Sequence, residues 1–267
     1  MTITKPILQF HRFDQLGSTN AKAKELAAAG APHGTVVITK EQTSGRGRLG
    51  RTFFSPKDSG IYLSMILRPE VIGANNESAV LLTTAASVAV ARAVKRTLDL
   101  DLQIKWVNDL YYNDKKVCGI LAESSFDPAC GSISAVVIGI GLNYQAPPGG
   151  FPEELREIAG ALFPADTALS AAASTNVDNL PDTDTLTVAI AEELFILADH
   201  ITDRTFLTEY KARSMVLGRR VRILPKLGGE SQVVEAIDIA DDGGLVIRHD
   251  DGTVETLTTG EISLRIV

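Results

Sequence analysis

The sequence predicts an α+β protein in two parts, a large domain over residues 1–214 and a small all-β domain over 215–267. Three observations predict it. A stretch rich in Ala and Val, residues 77–98, has the composition of a long helix apolar on most sides, which requires burial against a sheet. Around it lie several runs with β-branched or period-two patterning. After Gly218 the texture changes to short strands separated by tight turns at 227–229, 241–244 and 250–252, the spacing of a small antiparallel barrel or sandwich.

Taken in order, the chain begins with an extended run at 6–13. Ser18, Thr19 and Asn20 then lead into good helix formers over 21–29, closed by Gly30, which reads as a capped helix. Residues 34–39 are β-branched and suit a strand, and 42–51 form a glycine-punctuated loop. In 60–68, Ile61, Leu63, Met65 and Leu67 alternate with Tyr62, Ser64, Ile66 and Arg68, the pattern of a strand with one buried face. Beyond the long helix, two strand-like runs at 102–112 and 116–124 meet at the turn-prone pair Asn113 and Asp114, and so form a hairpin. A further strand at 132–143 ends in Gly139 and Gly141, where a missing side chain permits close approach of backbone or ligand. From 163 to 184 the composition shifts to Ala, Ser, Thr, Asp and Pro, an insertion without visible chemistry, and helical periodicity resumes over 185–200 and 204–213.

Composition narrows the function. The 267 residues are 45% hydrophobic and 22% charged, within the range of ordinary globular proteins. With 26 Lys+Arg against 33 Asp+Glu the net charge is −7, which opposes the basic face that general nucleic-acid binding requires, so any anion site has to be local. The two cysteines, Cys118 and Cys130, make neither a zinc set nor a disulfide framework and are read as reduced thiols. The N-terminus lacks the pattern of a secretory signal, and the apolar stretch 78–94 falls short of the ~20 residues of a membrane span. A cytoplasmic location with no membrane partner is the expectation.

The most informative segment is 42–51, where Arg46, Arg48 and Arg51 interleave with Gly45, Gly47 and Gly50 after Gln42. Glycines let backbone N–H groups approach a ligand, and guanidinium forks match phosphate or carboxylate oxygens. The segment has neither the Gly-Lys-Ser/Thr ending of a Walker loop nor a dinucleotide-binding Gly-x-Gly-x-x-Gly set between strand and helix. Some sixty residues on, Lys105, Trp106, Val107, Asn108 and Asp109 are followed by Lys116, Gly119 and Ile120. Such a hairpin places cation, carboxylate and apolar wall around one pocket. Each feature alone has an ordinary structural reading: a solvated arginine loop, a core tryptophan, an Asn-Asp turn and a surface lysine.

Together these residues resemble the biotin protein ligases, whose signatures are a Gly-Arg-Gly-Arg-x-Gly-Arg loop, a Lys-Trp-Pro-Asn-Asp segment and a Lys-x-x-Gly-Ile-Leu strand in that order. Ser18 to Asn20 upstream, and Gly139, Gly141 and Asn143 downstream, also match the family's pattern. The resemblance is strong over residues 10–145, weaker over 214–267 and absent in 164–184. The family's usual proline is Val107 here, its common tryptophan after the arginine loop is Phe53, and Cys118 stands where a small residue is usual.

The resemblance implies a mixed β-sheet flanked by helices, similar to class II aminoacyl-tRNA synthetases, followed by a small SH3-like barrel. It implies an ATP-dependent ligase that makes biotinyl-5′-AMP from biotin and Mg-ATP and transfers biotin to a lysine of a biotin carboxyl carrier domain. By the same resemblance, Ser18, Thr19, Asn20 and Gln42 contact biotin, whose ureido group both donates and accepts hydrogen bonds. Arg46, Gly47 and Arg48 lie over the acyl-phosphate, and Lys116 reaches the biotin carboxylate and the α-phosphate. Trp106, Gly119 and Ile120 wall the ring and chain, while Gly45, Arg51, Lys105, Asn108, Gly141 and Asn143 complete the binding set. Arg48, Lys116 and Asp109 carry the chemistry, with Asp109 orienting or deprotonating the acceptor lysine. Metal ligands for Mg2+ are not assigned. Only seventeen residues precede Ser18, so the DNA-binding domain of some relatives, and DNA as a partner, are not expected. The family includes monomers and dimers, and nothing in the sequence chooses between them. Rival readings are a lipoate protein ligase, a non-catalytic biotin- or nucleotide-binding module, and an RNA binder, the last opposed by the net charge.

Overall fold

The computed structural model describes residues 8–72, 78–126, 132–165, 182–225, 231–258 and 262–266. Cys130, the turn at 227–229 and most of the 163–184 insertion lie outside these residues. Among the described residues, twelve strands and five α-helices follow in chain order: β1 (Gln9–Phe13), α1 (Thr19–Ala28), β2 (Thr35–Thr39), β3 (Gly60–Leu67), α2 (Pro69–Ile72), α3 (Ser78–Leu98), β4 (Gln103–Lys105), β5 (Asp109–Tyr112), β6 (Lys115–Phe126), β7 (Ile133–Asn143), α4 (Thr183–Asp199), α5 (Phe206–Ala212), β8 (Arg219–Pro225), β9 (Gln232–Ile239), β10 (Leu245–Arg248), β11 (Val254–Leu257) and β12 (Ile262–Ile266). β1 to β7 form one mixed sheet in the order β1-β2-β3-β7-β6-β5-β4, parallel only between β1 and β2. No helix among the described residues is long and apolar enough to cross a membrane.

Two corrections to the sequence reading bear on the site. β3 is buried on both faces rather than one. Ile61, Leu63, Met65 and Leu67 face the main core under α3 and α4, where Leu82, Ala89, Leu186 and Ile190 are buried. The opposite face is covered by α1, and Ile66 packs there with Ala23, Ala27, Val37 and Val137. Period-two alternation therefore separates two buried faces here, one of them accepting Ser64 because partners on α1 satisfy its hydroxyl.

The second correction concerns 102–112, which is two strands, not one. β4 and β5 pair antiparallel with Lys105 opposite Asp109, so Trp106, Val107 and Asn108 form a tight turn of their own, with a cis peptide between Trp106 and Val107. The turn is held from below: the Tyr210 hydroxyl donates to the Val107 carbonyl at 3.2 Å, and the Trp106 indole N–H donates to the Gly243 carbonyl at 2.9 Å. The expected turn at Asn113 and Asp114 is present, both residues adopting the positive φ (49° and 60°) of a two-residue hairpin turn.

β8 to β12 form a five-stranded antiparallel sheet in the order β11-β10-β9-β8-β12. Its inward residues Val221, Ala236, Leu245 and Ile247 belong to the same buried cluster as α3, so this sheet rests on the larger one's core. Val221, Leu245 and Ile247 each contribute about 1.5–3 kcal/mol by leaving water.

Candidate active site

A cleft of about 700 Å³ opens on the face of the mixed sheet where β6 and β7 meet, between the arginine loop and the β4 to β6 hairpins. Every residue expected from the sequence lines it except Gly45. Gly45 instead packs behind the loop, where a Cβ would lie 2.3 Å from the Phe53 carbonyl oxygen.

One end of the cleft is polar. Ser18 caps α1, its side chain accepting from the Ala21 N–H, and the first residues of the helix are buried. The Gln42 side-chain oxygen accepts from the Thr19 backbone N–H at 2.9 Å and from its hydroxyl at 3.2 Å, while the Gln42 amide donates to Ser55 Oγ at 2.9 Å. Asn20 is 3% exposed and engaged at both ends of its amide: Nδ2 donates to Glu123 Oε2 at 2.9 Å, and Oδ1 accepts from the Ser64 hydroxyl at 2.6 Å.

The other end is charged. Lys116 Nζ lies 2.6 Å from Asp109 Oδ1, a buried oxygen whose neutralisation comes from that ion pair rather than from a well-directed hydrogen bond. Arg48 reaches across from the loop, its Nη1 donating to Asn108 Oδ1 at 3.1 Å. Desolvation there pushes the Arg48 guanidinium below the ordinary arginine range, against the pull of Asp109. Asn108 is itself locked to β6, its Nδ2 donating to the Ile120 carbonyl and its carbonyl accepting from the Ile120 N–H, both at 2.9 Å. Lys105 Nζ sits 5.7 Å from the Tyr111 ring centre, and burial together with Asp109 pushes the Tyr111 phenol up to about 12. Burial raises the Cys118 thiol as well, which suits an inert core residue and not a nucleophile.

The floor is made of glycines. Gly119 and Gly141 are register partners on β6 and β7, and the Phe53 ring lies over them: a Cβ on Gly141 would come within 2.5 Å of that ring. Trp106 lines the cleft and is also part of the main core, so both readings of it hold. Asn143 lines the cleft while its Nδ2 donates to the Gly160 carbonyl at 2.8 Å.

The sequence reading missed Phe53 as a lining residue and the whole of 151–159, where Phe151, Leu155 and Ile158 close one side. That segment is placed by backbone bonds, Lys116 N–H to the Ile158 carbonyl at 2.8 Å and Gly160 N–H to the Lys116 carbonyl at 2.9 Å, which leave no local pattern in the side chains.

The sequence pattern of the Biotin/lipoate A/B protein ligase family matches residues 13–143, and that of the Biotin protein ligase C terminal domain matches 216–265. The chain is 33% identical to the Biotin--[acetyl-CoA-carboxylase] ligase of Mycobacterium tuberculosis over 258 residues, covering 94% of this chain and 87% of that one. It is 32% identical to the Bifunctional ligase/repressor BirA of Bacillus subtilis over 252 residues, 94% of this chain and 72% of the relative. In fold it superimposes on the biotin protein ligase of Aquifex aeolicus, solved with biotin and ATP, with a TM-score of 0.75 at 22% identity over 97% of this chain and 99% of that one. The Leishmania major enzyme, solved with biotinyl-5-AMP, gives 0.61 at 26% identity over 94% and 99%. Relatedness over 94% of the chain, both domain patterns and the shared fold agree: the chain belongs to the biotin protein ligase family.

Proposed function

We propose that this chain joins biotin to a carrier protein in two steps. First a biotin carboxylate oxygen attacks the α-phosphorus of ATP, the bond from that phosphorus to the bridging oxygen breaks, and biotinyl-5′-AMP and pyrophosphate form. Then the amine of a lysine on a biotin carboxyl carrier domain attacks the acyl carbon, AMP departs with the bonding electrons, and the amine loses a proton. One observation carries the reading: cations from two separate elements, Arg46 and Arg48 on the loop and Lys116 on β6, line one cleft whose far end is the polar set Ser18, Thr19 and Gln42.

The physical demands of the first step match that layout. Two anions have to meet, and fixed cations cancel their repulsion in a site partly shielded from water. Lys116 projects from the sheet wall with its ammonium aimed by Asp109, so positioning and charge do the chemistry without a covalent enzyme intermediate. Ser18, Thr19 and Gln42 supply donors and acceptors for a ureido ring, and the missing side chains of Gly119 and Gly141 let the Phe53 ring and the Lys116 side chain settle against the sheet beside it. In the second step Asp109 orients the incoming amine and takes its proton. Arg48 holds the acyl-phosphate until the carrier arrives.

Among the described residues no group of three or more His, Cys, Asp or Glu is assembled to hold a metal. The carboxylates on the lining are Asp109, Asp114 and Glu157, and they would hold a magnesium ion carried in on the nucleotide's phosphates, which would neutralise phosphate charge. The match of 216–265 to a biotin protein ligase domain supports biotin over lipoate as the acyl group.

The test is incubation with biotin, Mg-ATP and a biotin carboxyl carrier domain, followed by mass measurement of the carrier. One biotinyl group per carrier, dependent on ATP and accompanied by pyrophosphate release, is expected. Binding of biotin without pyrophosphate release would make the chain a non-catalytic module, and preference for lipoate would change the substrate.

A further inference from the structure

We propose that Glu123 is a positioning residue for the biotin end of the cleft, an inference that rests on the function just described and deepens it. Its carboxylate, on β6, meets two elements that line the cleft. Oε2 accepts from Asn20 Nδ2 on α1 at 2.9 Å, while Oε1 lies 3.3 Å from Lys24 Nζ and 3.7 Å from Arg46 Nη1 on the arginine loop.

A carboxylate only accepts hydrogen bonds, so Glu123 dictates which way round the Asn20 amide lies. The opposite end of that amide is equally fixed. Ser64, fully buried on β3, donates to Asn20 Oδ1 at 2.6 Å, and a Cβ on Gly139 would lie only 2.1 Å from this oxygen. The Ser64 oxygen, its own proton committed to Asn20, is also 2.8 Å from the Thr19 hydroxyl, whose residue donates its backbone N–H to Gln42 Oε1 at 2.9 Å. Glu123 therefore anchors one end of a continuous polar chain through Asn20, Ser64, Thr19 and Gln42 to Ser55. The same carboxylate draws Arg46, about half exposed, toward the cleft wall. Asn20 shapes the pocket through its fixed amide, and Glu123 at 2.9 Å is the shorter of the two acceptors that fix it, the Leu121 carbonyl at 3.4 Å being the other.

Glu123→Gln keeps the shape but makes one end a donor, which lets the Asn20 amide turn over and removes the charge facing Arg46 and Lys24. In a pyrophosphate-release assay the KM for biotin rises about tenfold, the scale of one charge-assisted hydrogen bond, and this exceeds the smaller change in kcat and in the KM for ATP that follows from releasing the half-exposed Arg46. Glu123→Asp, which restores the charge on a shorter arm, recovers part of the loss. Ser64→Ala, which frees the other end of the same amide, raises the biotin KM in the same way. A wild-type biotin KM in Glu123→Gln overturns the proposal. So does a parallel shift of both KM values and the thermal midpoint, the behaviour of a merely structural residue. A wild-type protein that releases no pyrophosphate defeats the activity instead, and biotin affinity by calorimetry then judges Glu123→Gln on the same tenfold criterion.

Discussion

The two cationic walls of the cleft are built in opposite ways. The arginine loop closes mainly on itself: Gly47 N–H donates to the Arg51 carbonyl at 2.7 Å, Phe53 N–H donates to the Gly45 carbonyl at 3.0 Å, and Leu49 at its tip takes a left-handed φ of 66° with its side chain 37% exposed. The facing wall, carrying Asn108, Asp109 and Lys116, is a continuation of the seven-stranded sheet, laddered through β4, β5 and β6 and seated on Tyr210 and the buried core. A sheet holds a charge where bonds change. Under the proposed function, the glycine loop is expected to open for a ligand and close over it. The expectation is a division of labour, with rate set by the hairpins and retention set by the loop.

Lys116→Met sharpens that division most. Losing a preorganised cation lowers kcat for adenylation by about 10²–10³-fold, read as pyrophosphate release. It also leaves Asp109 Oδ1 buried without its cation, which costs about 1–3 kcal/mol of stability by chemical denaturation. The double variant Lys116→Met/Asp109→Asn recovers the stability and not the rate. If rate returned with stability, the hairpin would be a scaffold and not the reacting wall.

On the loop, Arg48→Gly removes the side chain that spans from loop to Asn108. Biotinyl-AMP then escapes about 10–100-fold faster, the loss expected for one or two charge-assisted hydrogen bonds, and a trapping assay finds label on lysines of bystander proteins. Adenylation slows by less than in Lys116→Met. Equal losses of rate in the two variants would abolish the distinction between the walls. Asp109→Asn gives a smaller effect again: transfer from preformed adenylate to carrier slows about tenfold, short of the ~10²–10⁴-fold of a full general-base contribution because the amide keeps the hydrogen-bonding shape that orients the amine. Transfer at the wild-type rate would confine Asp109 to aiming Lys116.

What the sequence revealed follows from the same contrast. The lining of the candidate site was legible because the proposed chemistry calls for particular residue types, arginines with glycines, a lysine before Gly119 and Ile120, in an order that five short motifs preserve. The strands carrying them were legible as apolar periodicity, but not their pairing. Nothing in 102–112 announces that Trp106 to Asn108 turns back on itself, because the turn is stabilised by Tyr210 and Gly243, over a hundred residues away. Ser64 reads as the polar side of a half-buried strand until α1 is placed over it. Asn20 was legible as part of the site but not as a group already committed to Glu123 and Ser64, since sequence shows which donors exist and not which are occupied. The 151–159 segment enters through backbone bonds to Lys116, which are blind to side-chain type.

The smallest effect tests the loop's freedom directly. Arg46 and Arg51 are exposed, and Arg48 stands between them, so trypsin meets three cleavable bonds wherever the loop opens far enough to enter a protease. Biotin plus ATP, binding the closed form, reduces the open population, so cleavage within 44–52 slows several-fold as the ligand concentration passes its Kd. Lys105 and Lys116 sit in laddered strands, and cleavage there requires the sheet to come apart. Their cutting therefore tracks global unfolding and begins only where the fold as a whole is lost. Mass analysis of the first fragments distinguishes the cases. Early cuts confined to the loop and suppressed by ligand uphold the contrast between the walls, whereas equal cutting with and without ligand means that the loop is already closed and that retention of the adenylate has to come from elsewhere.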